Sequence, residues 1–351
     1  MSESVRQPLD AARLTASVTV AVLLAAGAGV VSLAYGSSGF GGWTLVSALF
    51  TGELTDIQRA ILVEARLPRV VFAAVVGAAL ATTGAVFQAI LRNPLAEPYI
   101  LGVSGGAALG GTVLMSLTTV TGLIAGLTVP VAAFAGAMVA VGMIFAVERA
   151  APAQSLSNYV LLLAGVIFNA FASAIIMFLK SVVSAQKAQE LLFYLMGTLD
   201  VEGTSWTVIA IVAAITLVCL VVLYWYARDF NALSLGDEEA ASLGVDVDKT
   251  RRIAVVVSSL AVAVGVAFCG LIGFVGLVVP HGIRLLVGAD HRVLIPCCAF
   301  GGAAFLALSD LVARSMFTVF STTLPVGVVT AVIGAPLFVW FLWRGMKARR
   351  V

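Results

Sequence analysis

Charged side chains, which any acid–base, metal-binding or docking chemistry would need, are concentrated in residues 228–252 of this sequence. This segment, called the island below, holds ten of the 38 charged residues, which are 20 Lys and Arg and 18 Asp and Glu. Three acidic residues beginning at Asp237 predict the start of a short helix over residues 236–243, because acidic groups suit the positive end of a helix dipole. We expect Ser234 or Asp237 to cap this helix and Gly244 to end it.

The predicted island helix has an apolar patch formed by Ala240, Ala241 and Leu243. A capped helix with such a patch is more than a connection between two apolar runs requires. We therefore interpret it as a docking site for a soluble partner. A solvated connecting loop is the alternative interpretation.

The other residues that could do chemistry do not form a catalytic or metal site. The two histidines, His281 and His291, are ten residues apart, and a metal site needs several converging ligands. The four cysteines lie in apolar runs without metal-ligand spacing, which is typical of packing residues. The sequence has no nucleophile–base constellation, no G-x-x-x-x-G-K-[ST] phosphate loop and no basic surface with interleaved aromatic residues. We expect no enzyme activity, no metal, no cofactor and no nucleic-acid partner for this chain.

Polar and small residues within the apolar runs are expected to bind helices to one another. Gln88 and Asn169 are isolated amides, which favours interhelical hydrogen bonds over substrate binding. Asp310 has Arg314 four residues later, the spacing of neighbours on one helix face. Small residues that allow close helix–helix approach occur in one run: Gly77, Ala78, Ala81 and Gly84.

The elements that position these residues follow from the composition. The chain is 61% hydrophobic and 11% charged, and a helix that crosses a membrane needs about 20 apolar residues. The uncharged runs accommodate ten such helices, of which the eighth, after a break near Gly270–Gly273, is short. The sequence predicts a single transmembrane domain over residues 1–351, an all-α polytopic membrane protein. A weak similarity between spans 2–5 and spans 7–10, which enter from opposite sides, indicates an inverted repeat.

The distribution of cationic residues predicts the orientation of the spans. With the N-terminus in the cytoplasm, fourteen Lys and Arg residues lie at cytoplasmic ends and six lie outside, in agreement with the positive-inside rule. The island and both termini are then cytoplasmic, in a multi-pass protein of the cytoplasmic (inner) membrane. The six outside residues are Arg59, Arg66, Arg69, Lys180, Lys187 and Arg314.

Several motifs, taken in chain order, resemble one family over nearly the whole chain. They include Arg-Leu-Pro-Arg (66–69), Asn-Pro-Leu-Ala-Glu-Pro (93–98), Leu-Gly-Val-Ser-Gly-Gly-Ala (101–107), Leu-Ser-Leu-Gly-Asp-Glu-Glu-Ala-Ala-Ser-Leu-Gly-Val (233–245) and Gly-Phe-Val-Gly-Leu-Val-Val-Pro-His-Gly-Ile-Arg (273–284). These motifs resemble the FecCD-type permeases, the membrane subunits of type II ABC importers for iron–siderophores, haem and cobalamin. The resemblance implies a homodimeric permease that imports an iron–siderophore, with haem or cobalamin as the alternative cargo.

The same resemblance implies the partners of the permease and the surfaces that meet them. A periplasmic or lipid-anchored binding protein would present acidic residues to Arg66, Arg69 and Arg314, although snorkelling at the membrane interface is the alternative. A cytoplasmic ATPase dimer would bind ATP and Mg²⁺ and would contact the island. The implied contact residues are Leu235, Gly236, Asp237, Glu238, Glu239, Ala240, Leu243 and Gly244.

The resemblance also implies a cytoplasmic gate on a pathway between the two copies. The gate residues would be Asn93, Leu95, Ser157 and Asn158, with ordinary capping and turn chemistry as the alternative. Spans 5 and 10 and short external helices near residues 187–196 and 322–330 would line the pathway. A secondary transporter is the rival class, but it would need a coupling-ion site at mid-membrane, and the mid-span regions contain no acidic residue. A structural or sensor subunit is a further alternative.

Overall fold

The computed structural model of the chain describes residues 11–36, 54–99, 101–117, 123–150, 158–199, 205–317 and 322–348, with the single residues 42, 47 and 51. These ranges contain the thirteen helices named next and no strand. The helices are α1 (Ala11–Ala34), α2 (Asp56–Ile90), α3 (Val103–Leu117), α4 (Leu123–Ala150), α5 (Asn158–Val182), α6 (Ala185–Leu195), α7 (Trp206–Trp225), α8 (Ala227–Leu233), α9 (Asp237–Ser242), α10 (Val247–Cys269), α11 (Val275–Val287), α12 (His291–Ser315) and α13 (Val326–Ala348). Within α2, the stretch Ala60–Arg66 is π-helical.

Ten of these helices are apolar and correspond to the ten predicted spans. Seven are long and apolar enough to cross a membrane, namely α1, α2, α4, α5, α7, α10 and α12, and α3, α11 and α13 are shorter apolar helices. Helices are suited to the interior of a membrane because their backbone hydrogen bonds are all made within the segment. The prediction of an all-α polytopic membrane protein is confirmed. The eighth span, α11, is short as expected, with 13 residues, or about 20 Å at 1.5 Å per residue.

The helix lengths recur in the two halves of the chain. From Leu67 onward α2 has 24 residues, and α3, α4 and α5 have 15, 28 and 25. The helices α10 to α13 have 23, 13, 25 and 23 residues. In each half the second helix is the short one, and it follows a non-helical break, at residues 91–99 and 270–274. This recurrence agrees with the predicted internal repeat.

Glycine residues allow α2 to pack backbone to backbone against α11 and α12. A Cβ atom on Gly77 would overlap the carbonyl group of Gly302, and a Cβ atom on Gly302 would overlap that of Gly77. A Cβ atom on Gly84 would likewise overlap the backbone of Gly276. Close approach of this kind supplies the van der Waals contact that associates helices in lipid. The predicted role of the small residues of α2 is confirmed.

The first helix, α1, packs along α12 and is bonded to the bundle near both of its ends. Near its start, Arg13 Nη2 donates to the carbonyl oxygen of Val287 at 3.1 Å. Near its end, Arg66 Nη1 donates to the carbonyl oxygens of Leu33 at 2.8 Å and Ala34 at 3.1 Å. We call the end of the bundle near Val287 the island end, and the end near Arg66 the arginine end.

Of the two short helices expected beside the pathway, one is present. It is α6, which matches the helix predicted near residues 187–196. The prediction of a separate short helix near residues 322–330 is wrong, because residues 322–325 are non-helical and Val326 begins the long helix α13. Pro325 disfavours the helical conformation of the residue before it, Leu324, which favours a helix that starts only after the proline.

Candidate functional site

The island helix α9 has a glycine at each end, and the sequence predicts only the C-terminal one. Its N-cap is Gly236, with no side-chain hydrogen bond, so the prediction of Ser234 or Asp237 is wrong. Asp237 instead directs its carboxylate into ion pairs with arginine side chains. At the other end, Gly244 has a φ of 85° and ends the helix, as predicted.

Asp237 links the island helix α9 to α10 and to the end of α2. Its carboxylate lies 3.2 Å from Arg92 Nη2, just beyond the end of α2, and 3.0 Å from Arg251 Nη2, in α10. The Arg251 side chain is 8% exposed, whereas those of Asp237 and Arg92 are 38% and 39% exposed. Sequence reasoning missed this bridge. The signal that could have found it is that each of the three charges lies at a predicted helix end.

Of the eight predicted ATPase-contact residues, five are exposed, two are buried and Asp237 is partly exposed. The exposed ones are Leu235, Glu238, Glu239, Leu243 and Gly244. Ala240 is fully buried in the main hydrophobic core and Gly236 is buried as well, so neither offers side-chain surface to a partner. The expectation that Ala240 belongs to a free apolar patch is therefore wrong. The large apolar side chains left exposed are those of Leu235 and Leu243, at 53% and 65%.

A second set of hydrogen bonds joins the island to the start of α12. Asn231 Nδ2 donates to Asp290 Oδ1 at 2.8 Å, and Asn231 Oδ1 accepts from the backbone N–H of His291 at 2.8 Å. Arg292 Nη2 donates to Asp290 Oδ2 at 2.6 Å. Burial opposes ionisation of Asp290, but its hydrogen bonds from Arg292 and Asn231 outweigh that effect and lower the pKa of Asp290 to about 2. The carboxylate is therefore ionised at neutral pH, and the attachment persists there.

The break between α2 and α3 contains two of the predicted gate residues, and we call residues 92–98 the gate segment. Asn93 Oδ1 accepts from the backbone N–H of Leu95 at 2.9 Å, a turn bond of the kind that Asn commonly forms. The Leu95 side chain is 43% exposed. Glu97 Oε1 accepts from the backbone N–H of Phe274 at 2.6 Å, which attaches the gate segment to the break before α11.

Glu97 was missed as a candidate by the sequence reasoning. A lone acidic residue between Pro94 and Pro98, in apolar surroundings, is the signal that could have identified it. Of the other predicted gate residues, Ser157 lies outside the described residues, and Asn158 is described only as the first residue of α5. The gate role of these residues stays a prediction.

At the arginine end, a buried carboxylate holds two of the three predicted docking arginines. Asp310 is fully buried and accepts from Arg69 Nε at 2.9 Å and from Arg314 Nε at 2.8 Å. The predicted pairing of Asp310 with the arginine four residues later is confirmed. Arg314 Nη2 also donates to the carbonyl oxygen of Ser32 at 3.1 Å and to its hydroxyl at 2.8 Å. Arg66 and Arg314 thus both bind the last turn of α1.

The three arginines differ in what they could offer to a partner. Arg66 and Arg314 are each 5% exposed and satisfy backbone or hydroxyl oxygens of α1. Arg69 has a side chain that is 18% exposed, and it contacts Asp310 through Nε. The structure therefore brings the three residues to one end of the bundle but leaves surface mainly on Arg69. Their docking role stays a prediction.

Of the two amides predicted to form interhelical hydrogen bonds, Gln88 does so, whereas Asn169 bonds to the break between α2 and α3. Gln88 Oε1 accepts from Arg284 Nη2 at 3.1 Å, between α2 and α11. Asn169 Nδ2, in α5, donates to the carbonyl oxygen of Tyr99 at 2.8 Å. Across the part of the chain that the structure describes, no group of three or more His, Cys, Asp or Glu residues is placed to hold a metal ion.

The sequence as a whole is similar to that of several membrane transport proteins. The model of the FecCD transport family matches residues 22–344. The cobalamin import system permease protein BtuC of Halobacterium salinarum is 43% identical over 287 residues, which are 82% of this chain and 74% of that protein. The hemin transport system permease protein HmuU of Yersinia pestis is 36% identical over 322 residues, which are 91% of this chain and 94% of that protein.

The fold is similar to that of a solved transporter as well. A structure described as an inward-facing conformation of a metal-chelate type ABC transporter matches with a TM-score of 0.81 and 31% sequence identity. The match covers 93% of this chain and 98% of that one. On the extent of the family match, the identity to these relatives and the shared fold, the chain belongs to the FecCD transport family.

Proposed function

We propose that the chain is the membrane permease through which an ABC importer takes an iron–siderophore complex across the cytoplasmic membrane. The family gives the coarser class, a permease of an ABC importer for metal chelates, cobalamin or haem. The similarity to a metal-chelate type transporter, and the few charges in the spans, support a bulky chelate as the cargo. Haem and cobalamin are the alternatives, and the names of the two relatives support them.

The observation that carries the proposal is the exposed surface of the island around α9. Leu235 and Leu243 are exposed there beside Glu238 and Glu239. The island is fixed to α2, α10 and α12 by the ion pairs and hydrogen bonds of Asp237 and Asn231. Apolar side chains presented on a fixed polar element suit a protein partner.

The partner that we assign to this surface is a cytoplasmic ATPase dimer, which binds ATP and Mg²⁺. The sequence itself contains no phosphate-binding loop, so the energy source lies on another subunit and this chain carries no cofactor. Closure of the ATPase dimer on ATP would push the island and switch the pathway between outward-open and inward-open states.

The rest of the proposed assembly follows from the charge distribution and the resemblance. The island end and both termini face the cytoplasm, as the positive-inside rule predicts. The arginine end faces a periplasmic or lipid-anchored binding protein. Two copies of the chain form a homodimer in the bilayer, with the pathway between them lined by α5 and α13. A permease for haem or cobalamin would have the same architecture as one for an iron chelate.

Replacement of Arg69 with glutamine tests the binding-protein surface. Arg–carboxylate bonds are directional and charge-assisted, so we expect the affinity for the purified binding protein to fall about tenfold, or about 1.4 kcal/mol. Asp310 keeps Arg314 as a partner in this variant, which protects the fold. The matched control is Arg59→Gln, an exposed arginine in the first turn of α2. Equal affinity of the parent and Arg69→Gln would exclude a docking role for Arg69.

Cross-linking tests the gate and the homodimer together. The native cysteines Cys219, Cys269, Cys297 and Cys298 are all buried, so a cysteine introduced at Asn93 is the reactive thiol available at the gate. We expect a bifunctional maleimide to join two Asn93→Cys copies into a band of twice the mass and to stop uptake, and reagent-treated parent protein to keep transporting. Efficient cross-linking with continued transport would rule out a gate at this position.

Uptake by a deletion strain tests the function as a whole. Loss of the gene is expected to abolish accumulation of labelled ferric siderophore, and to leave haem and cobalamin uptake intact. Loss of haem or cobalamin uptake instead would assign the alternative cargo. Uptake that persists after deletion of the ATPase gene would favour a secondary transporter, and a strain with no uptake defect would favour a structural or sensor subunit.

A further inference from the structure

We propose that Asp237 is a positioning residue through which the island helix α9 moves the gate segment, residues 92–98. The inference rests on the proposed docking of an ATPase at the island. It adds the route by which movement of that surface reaches the pathway. The route runs from α9 through the Asp237 carboxylate to Arg92, and from Arg92 along the backbone to Asn93 and Leu95.

The first step of the route is the branched ion pair. Both oxygens of Asp237 lie 3.0 Å from Arg251 Nη2, and one of them lies 3.2 Å from Arg92 Nη2. The Arg251 side chain is nearly buried, at 8% exposure, so its positive charge would be left uncompensated without this carboxylate. Arg251 therefore fixes Asp237 in place, and Asp237 in turn holds Arg92. The acidic end of α9, α10 and the end of α2 are joined at one point.

The second step is the backbone at Arg92. This residue has a φ of 49°, one of two positive values among the non-glycine residues that the structure describes. A left-handed arginine is unfavourable on its own, and such a conformation persists where surrounding contacts impose it. Here the backbone N–H of Asn93 donates to the carbonyl oxygen of Gln88 at 3.2 Å, which closes the end of α2 over Arg92, and the Asp237 ion pair holds the side chain of the same residue. A shift of the Arg92 side chain would therefore alter the dihedral angles at the point where α2 ends and the gate segment begins.

The third step is the attachment at the far end of the gate segment. Glu97 accepts a hydrogen bond from the backbone N–H of Phe274 at 2.6 Å, and Phe274 is the other described non-glycine residue with positive φ, at 67°. The gate segment is thus held at one end by the island and at the other by the break before α11. Displacing α9 while Glu97 stays attached would change the course of the residues between them, which include Asn93 and Leu95.

The Arg92–Asp237 pair can be removed without disturbing the Asp237–Arg251 pair, which separates a coupling role from a role in stability. The Arg92–Asp237 pair is more than a third exposed on both sides, and exposed pairs contribute little to folding stability. A variant that loses only this pair should therefore fold normally. A role limited to stability would leave the movement of the gate segment unchanged, and a coupling role would not.

The test uses the permease purified with its ATPase and reconstituted in lipid nanodiscs. A cysteine at Leu95, which is 43% exposed, reports the gate segment through its rate of reaction with a maleimide fluorophore. The native cysteines are buried and give a low background. ATP with Mg²⁺ is expected to change this rate in the parent. In Asp237→Asn and in Arg92→Gln, the ratio of rates with and without nucleotide should fall to about one, the value for zero coupling.

Two control variants and a second test variant make the result decisive. Arg92→Lys keeps the positive charge and should retain the ATP response, and Asp248→Asn removes an exposed carboxylate from the same segment and should retain it too. Arg92→Gln leaves the Asp237–Arg251 pair in place, so it remains informative if Asp237→Asn folds poorly. A full ATP response in Arg92→Gln or in folded Asp237→Asn overturns the inference. Co-purification of the ATPase with the parent permease is checked before any labelling. If no ATPase remains bound to the parent, the proposed function is overturned, and not the coupling role of Asp237.

Discussion

Replacing Asp310 with alanine is expected to lower the free energy of unfolding by about 3–5 kcal/mol, because removing one partner of a buried ion pair leaves an uncompensated charge. Asp310 is fully buried and accepts from two arginines, of which Arg314 has a side chain only 6% exposed. The variant would retain both cations without their carboxylate. It would also loosen the hold of Arg314 on the last turn of α1. The measurement is the thermal unfolding of the detergent-solubilised protein, followed by intrinsic tryptophan fluorescence.

Two variants calibrate this result. Asp310→Asn keeps an oxygen acceptor at the same place and should be less destabilising than alanine. Glu190→Gln removes the exposed ion pair with Lys187, whose Nζ–Oε2 distance is 2.7 Å, and should cost less than about 1 kcal/mol. If Asp310→Ala melted within about 2 °C of the parent, the buried cluster would not be stabilising the arginine end.

The second large effect is expected for Gly302→Val. A Cβ atom at position 302 would overlap the carbonyl group of Gly77 and the side chain of Ala81, and backbone atoms are poorly able to move aside. Forcing α2 and α12 apart should cost about 3 kcal/mol or more, at or beyond the upper end of ordinary overpacking. We expect little monodisperse protein on size-exclusion chromatography of solubilised membranes.

Gly142→Val is the matched control for this substitution. Gly142 also lies within an apolar helix, α4, but a Cβ atom there would meet no other atom within 4 Å. The control should therefore express and elute as the parent does. Similar elution profiles for the two valine variants would show that the backbone contact between α2 and α12 is not needed for assembly.

The helices were predictable because lipid imposes a length and a composition on each span. The ten apolar helices, the short α11 after Gly270–Gly273, and the glycine contacts of α2 all follow from runs of apolar and small residues. Local spacing also predicted the Asp310–Arg314 pair, since residues four apart share a helix face.

What local spacing could not give was the choice among distant partners. Asp237 was expected to cap its own helix, but its carboxylate goes to Arg251 and Arg92, which come close only when α2, α9 and α10 assemble. Arg66 and Arg314 were expected at a surface, yet both are drawn inward by the oxygens at the end of α1. Unpaired groups at a helix end attract whatever donors the tertiary structure brings near.

The two attachments of α1 have a mechanical consequence. This helix is fastened to the loop end of α11 through Arg13 and, some 30 Å away at 1.5 Å per residue, to α2 and α12 through Arg66 and Arg314. These hydrogen bonds at both ends of α1 oppose tilting of α11 and α12 relative to α2. We expect these four helices to travel as one rigid unit during each cycle, so that the motion that opens and closes the route for cargo is confined to the gate segment and to the border of this unit.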